Sequence, residues 1–351
     1  MKKSKSVIIT GTHHTPAIEL INLLRLDQHT SWQISYIGHQ YPTETHIIHT
    51  LIPKLKIPFY NLECGKFDRR NFLKTLFNLP KIFLAIFKSL SLINQIKPDL
   101  VISFGGYVSV PVIIAAFFKK IPSITHEQTT VNSLSTKINS LFVNKIALSF
   151  NNQSQINQLP KHKVIITGNL LRQAIFNTKS KKFKITNQLP IIYITGGNQG
   201  SNFINRLAQK LLPKLTTKFN LIHQTGNNFT APKSPHYYST PYIEIEDIGW
   251  VLNHAQIIIS RAGANTCQEL DILNKKAILI PLPYTQQNEQ LLNAEWLRTQ
   301  HPDITSIIPQ DKATLTNINR AISKLITIPS PKTTINYTAN RHFLKIIYEI
   351  I

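Results

Sequence analysis

Ile191-Ile192-Tyr193-Ile194-Thr195-Gly196-Gly197-Asn198-Gln199-Gly200-Ser201 is the stretch that decides the fold. Five β-branched or aromatic residues give a strand with no polar face, as in a parallel sheet covered on both sides. A glycine-rich turn follows, and Gln199–Leu215 continues with helical periodicity. Strand, glycine turn and helix start together offer backbone N–H groups to an anion at a helix N-terminus. The spacing is neither that of a Walker A loop nor GxGxxG, and an ordinary βα turn reads the same way in isolation.

The same rhythm runs outward in both directions. After it come strands at Phe219–His223, Gln256–Ser260 and Ala277–Pro281, with helices at Ala264–Leu273 and Glu289–Thr299. Before it come strands at Val7–Thr10, Leu100–Phe104, Ser123–His126 and Lys163–Thr167, with helices at Pro16–Leu26 and Val110–Phe118. Two successive βα series predict two doubly wound α/β domains. The lysine-bearing stretch Asn177–Pro190 reads as the linker region, and a final helix is expected at about Asn336–Ile351. Ligands of open parallel sheets bind beyond the carboxyl ends of the strands, so the default site is a cleft faced by both sheets.

The 351 residues suit two domains of ordinary size. A hydrophobic fraction of 42% excludes a disordered chain, and two cysteines exclude a disulfide scaffold and make a cysteine-based zinc site a poor fit. No stretch approaches 18 consecutive apolar residues, so nothing is expected to span a membrane. Lysine and arginine outnumber the acids 39 to 17, a net charge of +22. Such a field attracts nucleic acid, an anionic leaflet or phosphorylated substrates. The alternative reading is that biased codon usage alone makes the chain rich in Ile, Asn and Lys, and composition does not choose between the two.

Four further segments carry candidate chemistry. Gly11-Thr12-His13-His14-Thr15-Pro16 follows the first strand. Thr12 or Thr15 suits the helix cap, and a histidine there is a candidate base or phosphate contact. Gly105-Gly106-Tyr107 follows the strand Leu100–Phe104, and paired glycines let a backbone come close to a ligand. His126-Glu127-Gln128 puts three polar groups at a strand's end, costly unless they face a site or satisfy one another. Arg261-Ala262-Gly263-Ala264-Asn265-Thr266, with Glu269 one turn on, sets a phosphate-ready helix start and a carboxylate on one face. A carboxylate there suits the two hydroxyls of a ribose.

Taken in order, Lys97-Pro98-Asp99, Gly105-Gly106-Tyr107-Val-Ser, His126-Glu127-Gln128, Gly196-Gly197-x-Gln-Gly, Arg261-x-Gly-Ala-x-Thr-x-x-Glu269 and Asn288-x-Gln290-x-x-Asn-Ala resemble the MurG family of glycosyltransferase family 28. The resemblance spans about residues 6–325. It implies a GT-B fold, two Rossmann-like domains facing a cleft. Residues 1–167 would take the acceptor and face the membrane, and 168–330 would bind the UDP-sugar. A C-terminal helix within 331–351 would pack back on the first domain.

The activity implied is inverting transfer of GlcNAc from UDP-GlcNAc to the muramoyl C4 hydroxyl of undecaprenyl-diphosphoryl-MurNAc-pentapeptide, with no cofactor and no metal. Arg172, Asn198, Ile245, Thr266, Glu269 and Gln290 match the donor-binding positions, and Gly196, Gly197, Gly200 and Gly263 the phosphate loops. Thr12, His13, Gly105, Gly106, Tyr107, His126 and Gln128 match the acceptor side. His14 is the expected base, with Glu127 its rival. The first loop is two positions shorter than the family's, Asn198 replaces its usual serine, and Thr129 replaces an asparagine.

Residues 66–97 mix seven Lys/Arg and one acid with many apolar and aromatic residues. Pro80 is expected to divide them into two short helices. By the resemblance it corresponds to the family's proposed membrane-contact patch, and its composition suits an anionic leaflet; the alternative is an amphipathic helix packed on the sheet. The implied location is therefore peripheral, on the cytoplasmic face of the cell membrane. Alternatives are a related GT-B enzyme with another glycolipid acceptor, a UDP-GlcNAc epimerase, or a basic nucleic-acid-binding protein. No nucleic-acid motif supports the last.

Overall fold

The computed structural model describes residues 3–40, 52–65, 72–197, 199–227, 229–331 and 337–351. The chain divides into two compact units, Met1–Leu171 with Thr338–Ile351, and Arg172–Tyr337. In the first unit the order is β1 (Lys3–Gly11), α1 (His14–Leu26), β2 (Thr30–Gly38), α2 (Ile52–Lys54), β3 (Phe59–Asn61), α3 (Phe72–Ile96), β4 (Leu100–Phe104), α4 (Ser109–Phe118), β5 (Ser123–Glu127), α5 (Leu134–Phe142), β6 (Lys145–Leu148), α6 (Gln153–Ile156) and β7 (Val164–Ile166). In the second it is β8 (Ile191–Thr195), α7 (Asn202–Leu215), β9 (Asn220–Gln224), β10 (Tyr237–Thr240), α8 (Ile245–His254), β11 (Ala255–Ser260), α9 (Ala264–Ile272), β12 (Ala277–Leu279), α10 (Glu289–Gln300), β13 (Thr305–Ile307) and α11 (Leu315–Thr327). The closing helix α12 (Ala339–Ile350) belongs to the first unit.

Both sheets are parallel throughout, ordered β3-β2-β1-β4-β5-β6-β7 and β10-β9-β8-β11-β12-β13. Strand order reverses between β1 and β4 in one sheet and between β8 and β11 in the other. Those switch points are where a doubly wound sheet opens a crevice. The glycine loops at Gly11, Gly105, Gly196 and Gly263 follow these four strands.

Strand alternation sends Val7 and Ile9 to one face of the first sheet, against Leu20, Ile21 and Leu24 of α1, and Ile8 to the other, with Val112 and Ile113 of α4. In the second sheet Ile192, Ile194, Ile257 and Ile259 pack under α7 and α11. Helix α12 returns to the first unit because Phe343, Ile346 and Ile347 bury there. Asn340 Nδ2 donates to Glu19 Oε1 at 3.1 Å, and the Tyr348 hydroxyl donates to Asp27.

Two expectations are corrected, and a third point concerns the apolar helix α3. Residues 177–190 are not a linker but part of the second unit. There Asp247 Oδ1 accepts from the Lys181 N–H at 2.9 Å and the Ser180 hydroxyl at 2.6 Å. Pro80 does not divide the basic-aromatic segment, because α3 runs unbroken from Phe72 to Ile96 with the proline inside. Pro80 forgoes one backbone bond there, and the flanking turns carry the helix across the gap. Finally, Asn78–Ile96 is by length and composition apolar enough to cross a bilayer, with a mean hydropathy of 1.3 despite its two lysines. One face of it nevertheless belongs to the core, where Ala85 and Ile93 are buried with α4 residues.

Candidate active site

On the second unit, the turn after β8 is built by close approach. Gly200 has φ +74°, and a Cβ there would lie 2.3 Å from the Thr225 carbonyl oxygen. Gly197 has φ +87° and nothing within 4 Å of its Cβ position, so the turn presents open space on that side. Ser201 caps α7, accepting from the Ile204 N–H at 3.4 Å. A pocket of about 200 Å³ lies here, lined by Gln199, Gly200, Ser201, Asn202, Asn205 and Thr225. Asn198, expected as a donor contact, lies outside the described residues.

The turn after β11 leads into α9, whose N-cap Gly263 supplies no side-chain cap. Its first-turn N–H groups are therefore suited to an external anion, beside Thr266. One turn on, Glu269 is 4% exposed and gripped by Arg172 through three hydrogen bonds. Arg172 Nε donates to Oε1 at 3.0 Å, and Nη2 donates to Oε1 at 2.7 Å and Oε2 at 3.0 Å. Burial alone would lower the guanidinium, but the adjacent carboxylate holds it above its ordinary value. Arg172 and Glu269, 97 residues apart, thus form one charged unit. A bidentate pair of this kind leaves the carboxylate oriented, with further lone pairs for hydroxyl donors.

Ile245 opens α8 and is 41% exposed, and a backbone amide at a helix start suits a pyrimidine carbonyl. Among the described residues of the unit, Gln290 uses only its amide oxygen. Its Oε1 accepts from the Leu282 N–H at 2.9 Å and from the Ala262 N–H at 3.3 Å, tying the loop after β12 to that after β11. Its amide NH₂ is the end suited to sugar hydroxyls.

Two residues of this unit had no role assigned from sequence. Gln224 donates through Nε2 to the Gly197 carbonyl at 3.0 Å and accepts at Oε1 from the Ile243 N–H at 3.2 Å. Arg261 is 6% exposed, and burial lowers its guanidinium. It donates to Ser201 Oγ at 3.1 Å, Gln310 Oε1 at 2.6 Å and the Ile280 carbonyl at 3.1 Å. No carboxylate among the described residues pairs with it, so its positive charge stands unneutralised behind both phosphate-ready turns. The Arg-x-Gly motif named Arg261, but only the folded chain shows it touching the cap of α7.

On the first unit, the turns after β1 and β4 interlock. The Thr12 N–H donates to the Gly105 carbonyl at 3.1 Å. A Cβ on Gly106, which has φ +78°, would lie 2.1 Å from Thr12 Oγ1. Neither Thr12 nor Thr15 caps α1: the N-cap is His13, without a side-chain cap bond. His13 lies along Gly105, its Cδ2 3.4 Å from that residue's Cβ position. Burial lowers its imidazole, and the Glu127 charge pulls it back upward.

His14 turns inward. It is 8% exposed, and Nδ1 lies 2.9 Å from the Tyr36 hydroxyl. Burial, then the neighbouring His13, lower it to about 4. Glu127 is 1% exposed and saturated. Its oxygens accept from the Thr136 hydroxyl at 2.7 Å, the Thr129 hydroxyl at 3.0 Å, the Ser133 N–H at 3.0 Å and the Thr129 N–H at 3.3 Å. It organises the turn into α5.

Strand alternation sends His126 the opposite way. Its ring lies against Phe104 and Phe343, and Nε2 lies 3.3 Å from the Gly168 carbonyl. Burial lowers it to about 4. His126 is thus brought to the core rather than to the acceptor loops. Gln128 and Tyr107 are half-buried, and the Gly106 N–H donates to Ser135 Oγ at 2.9 Å.

Helix α3 turns Phe83, Leu84 and Phe87 outward, each at least 60% exposed, beside exposed Lys81 and Lys88. At the end of α4 are exposed Phe117 and Phe118, followed by Lys119 and Lys120. Residues 66–71 of the basic-aromatic segment lie outside the described residues.

Comparison with known proteins agrees with this arrangement. Residues 7–148 match the glycosyltransferase family 28 N-terminal domain, and 191–349 the glycosyltransferase family 28 C-terminal domain. The chain is 32% identical over 349 residues to a protein of Borreliella burgdorferi named UDP-N-acetylglucosamine--N-acetylmuramyl-(pentapeptide) pyrophosphoryl-undecaprenol N-acetylglucosamine transferase, covering 97% of this chain and 94% of that protein. It is 30% identical over 335 residues to a Bacillus thuringiensis protein of the same name, numbered 3, covering 92% and 91%. Among solved structures it resembles Acinetobacter baumannii MurG, with a TM-score of 0.70, 24% identity and coverage of 98% and 99%. It also resembles a Neisseria meningitidis UDP-GlcNAc 2-epimerase bound to UDP-GlcNAc, with a TM-score of 0.63, 16% identity and coverage of 98% and 100%. At these identities the structures share the fold.

Proposed function

The chain belongs to glycosyltransferase family 28, and we propose that it transfers N-acetylglucosamine from UDP-GlcNAc to the muramoyl sugar of a pentapeptide-bearing, undecaprenyl-diphosphate-linked acceptor. It is a UDP-sugar-dependent hexosyltransferase of GT-B fold, acting in peptidoglycan synthesis. The observation that carries the reading is identity of 30–32%, over more than nine-tenths of the chain, with proteins named for that transfer. Likeness to an epimerase rests on fold alone.

The second unit is the donor side in this reading. Glu269, oriented by Arg172, accepts the ribose hydroxyls. The uncapped start of α9 and the turn around Gly197 and Gly200 take the diphosphate. Arg261 adds an unneutralised charge behind them. As the sugar–phosphate bond breaks, negative charge grows on the departing UDP, and preformed N–H groups and a buried cation stabilise it without reorganising. Ile245 meets the uracil, and the Gln290 amide the sugar.

The first unit is the acceptor side, through Thr12, Gly105, Gly106, Tyr107 and Gln128. The C4 hydroxyl attacks the anomeric carbon, the bond to UDP breaks with inversion, and the hydroxyl proton passes to a base. His13 fits that role better than His14. It lies along the glycine turn of β4, and the Glu127 charge stabilises its protonated form. His14 is committed to Tyr36, and Glu127 already accepts four hydrogen bonds. His126 serves packing.

The finer assignment of location is an anionic membrane surface, on its cytoplasmic face. It is supported by the outward Phe83, Leu84 and Phe87 beside Lys81 and Lys88. Apolar side chains entering the headgroup region and lysines over anionic lipid act together.

The test is UDP release from UDP-GlcNAc by the purified protein, with and without a short-chain lipid-linked MurNAc-pentapeptide. Release that requires the acceptor is expected. Acceptor-independent conversion of UDP-GlcNAc to its 2-epimer would overturn the reading.

A further inference from the structure

Tyr36 lies toward the C-terminal end of β2, paired in register with Ile9 of β1, and is fully buried. Its ring stacks on Phe59, with centroids 6.0 Å apart and planes at 17°. A phenol buried this deeply needs partners for its hydroxyl, and two of the described residues provide them. The hydroxyl donates to the Gly11 carbonyl at 3.1 Å, and His14 Nδ1 lies 2.9 Å away. A phenol carries one proton. With that proton on Gly11, the His14 contact is a hydrogen bond only if Nδ1–H donates to the phenol oxygen. The pair of bonds therefore sets the His14 tautomer.

These two contacts bracket the turn that carries His13. Gly11 ends β1 and His14 begins α1, so one hydroxyl holds both sides of a turn only two residues long between them. The turn has no side-chain cap at its helix end. Gly11 has φ +129°, and any Cβ there would lie 2.7 Å from the Gly105 carbonyl oxygen. The β4 turn thus blocks it from one side while Tyr36 holds it from the other.

We propose that Tyr36 is a positioning residue for the transfer reaction: its hydroxyl clamps Gly11 to His14 and so aims His13 at the acceptor hydroxyl. His14 is the arm through which it acts and not itself the base. The inference rests on the reading of His13 as the base.

Tyr36→Phe keeps the ring and its stack on Phe59 and removes only the hydroxyl. Loosened aim of a base costs rate more than binding, and a misplacement near 1 Å costs up to about 10²-fold. Turnover should fall roughly 10- to 100-fold, with KM for UDP-GlcNAc unchanged and the acid limb of the pH–rate profile displaced. A merely structural tyrosine would lower Tm and leave that limb in place. Full turnover with an unmoved profile overturns the proposal. Nitrogen NMR of histidine-labelled wild-type protein, with His14 assigned by comparison with His14→Gln, gives a second readout that needs no active variant. The proton is expected on Nδ1, and a proton on Nε2 overturns the clamp. His13→Ala at full turnover would sink the base assignment by itself, whatever Tyr36→Phe does, so the two failures are told apart.

Discussion

Replacing Glu269 by Gln tests the donor side most sharply, because the structure separates its two consequences. The carboxylate is 4% exposed and takes three bonds from Arg172 at 2.7–3.0 Å. The amide keeps the shape and one acceptor oxygen but turns an NH₂ toward a guanidinium. Removing one partner of a buried pair costs about 3–5 kcal/mol, and Gln, retaining an acceptor, should lose about half of that in stability. Binding is counted separately. Two ribose hydroxyls would donate to a neutral oxygen in place of a carboxylate. Each such bond falls from about 2 to about 1 kcal/mol. The sum, about 2 kcal/mol, is roughly a thirty-fold rise in Kd. Calorimetry with UDP-GlcNAc and with UDP should show the same rise, since both carry the ribose. A Kd within threefold of wild type for a folded variant would refute the assignment. So would a loss confined to UDP-GlcNAc, which would move Glu269 to the sugar.

Other outcomes follow from the same geometry. His13→Ala should lower kcat by roughly 10²–10⁴, the scale of a lost general base, while donor affinity stays put; steady-state rates for His13→Ala and His14→Ala decide between the two histidines. Gly200→Ala should cripple UDP binding by calorimetry, because its Cβ would lie 2.3 Å from the Thr225 carbonyl oxygen at φ +74°. The buried imidazoles of His14, His126 and His223 are each lowered to about 4. They stay neutral in the native state as the pH falls below about 6.5, while the unfolded chain takes up protons. The contribution of these histidines to stability should therefore be constant above that pH and decline below it, by up to about 1.4 kcal/mol per histidine per pH unit until pH 4; thermal melts between pH 7 and 5 measure it. Lys81→Gln with Lys88→Gln should weaken sedimentation with anionic vesicles by about 2 kcal/mol, or some thirty-fold, at low salt, and unchanged binding would discard the electrostatic reading of α3.

The fold was legible where a run was buried on both faces. Leu100–Phe104 and Ile191–Thr195 have no polar face, and both strands lie where the runs begin and end. Short edge strands such as Phe59–Asn61 and Thr305–Ile307 carry no such signal. Pro80 misled because a proline costs a helix one bond and a clash, and α3 runs through it all the same, burying Ala85 and Ile93 in the core beyond it. On the donor side, the family resemblance named Arg172 and Glu269 without showing that they grip each other across 97 residues. Gln224 and Arg261 do their work through backbone and side-chain atoms of turns distant in sequence, which no local spacing reports. On the acceptor side, adjacent histidines look alike in sequence. Only the fold separates His13, along Gly105, from His14, on Tyr36, and sends His126 to the face opposite Glu127.

The central claim is sugar transfer to a lipid-linked muramoyl acceptor, and product isolation tests it most directly. Purified protein would be incubated with radiolabelled UDP-GlcNAc and a short-chain lipid-diphosphoryl-MurNAc-pentapeptide, the lipid fraction extracted, and its sugar linkage solved by NMR. The account predicts label in a lipid-linked disaccharide, with GlcNAc joined to the muramoyl C4 oxygen and the anomeric configuration inverted. Label that stays wholly in water-soluble nucleotide sugar, with donor and acceptor both shown to bind, would contradict it.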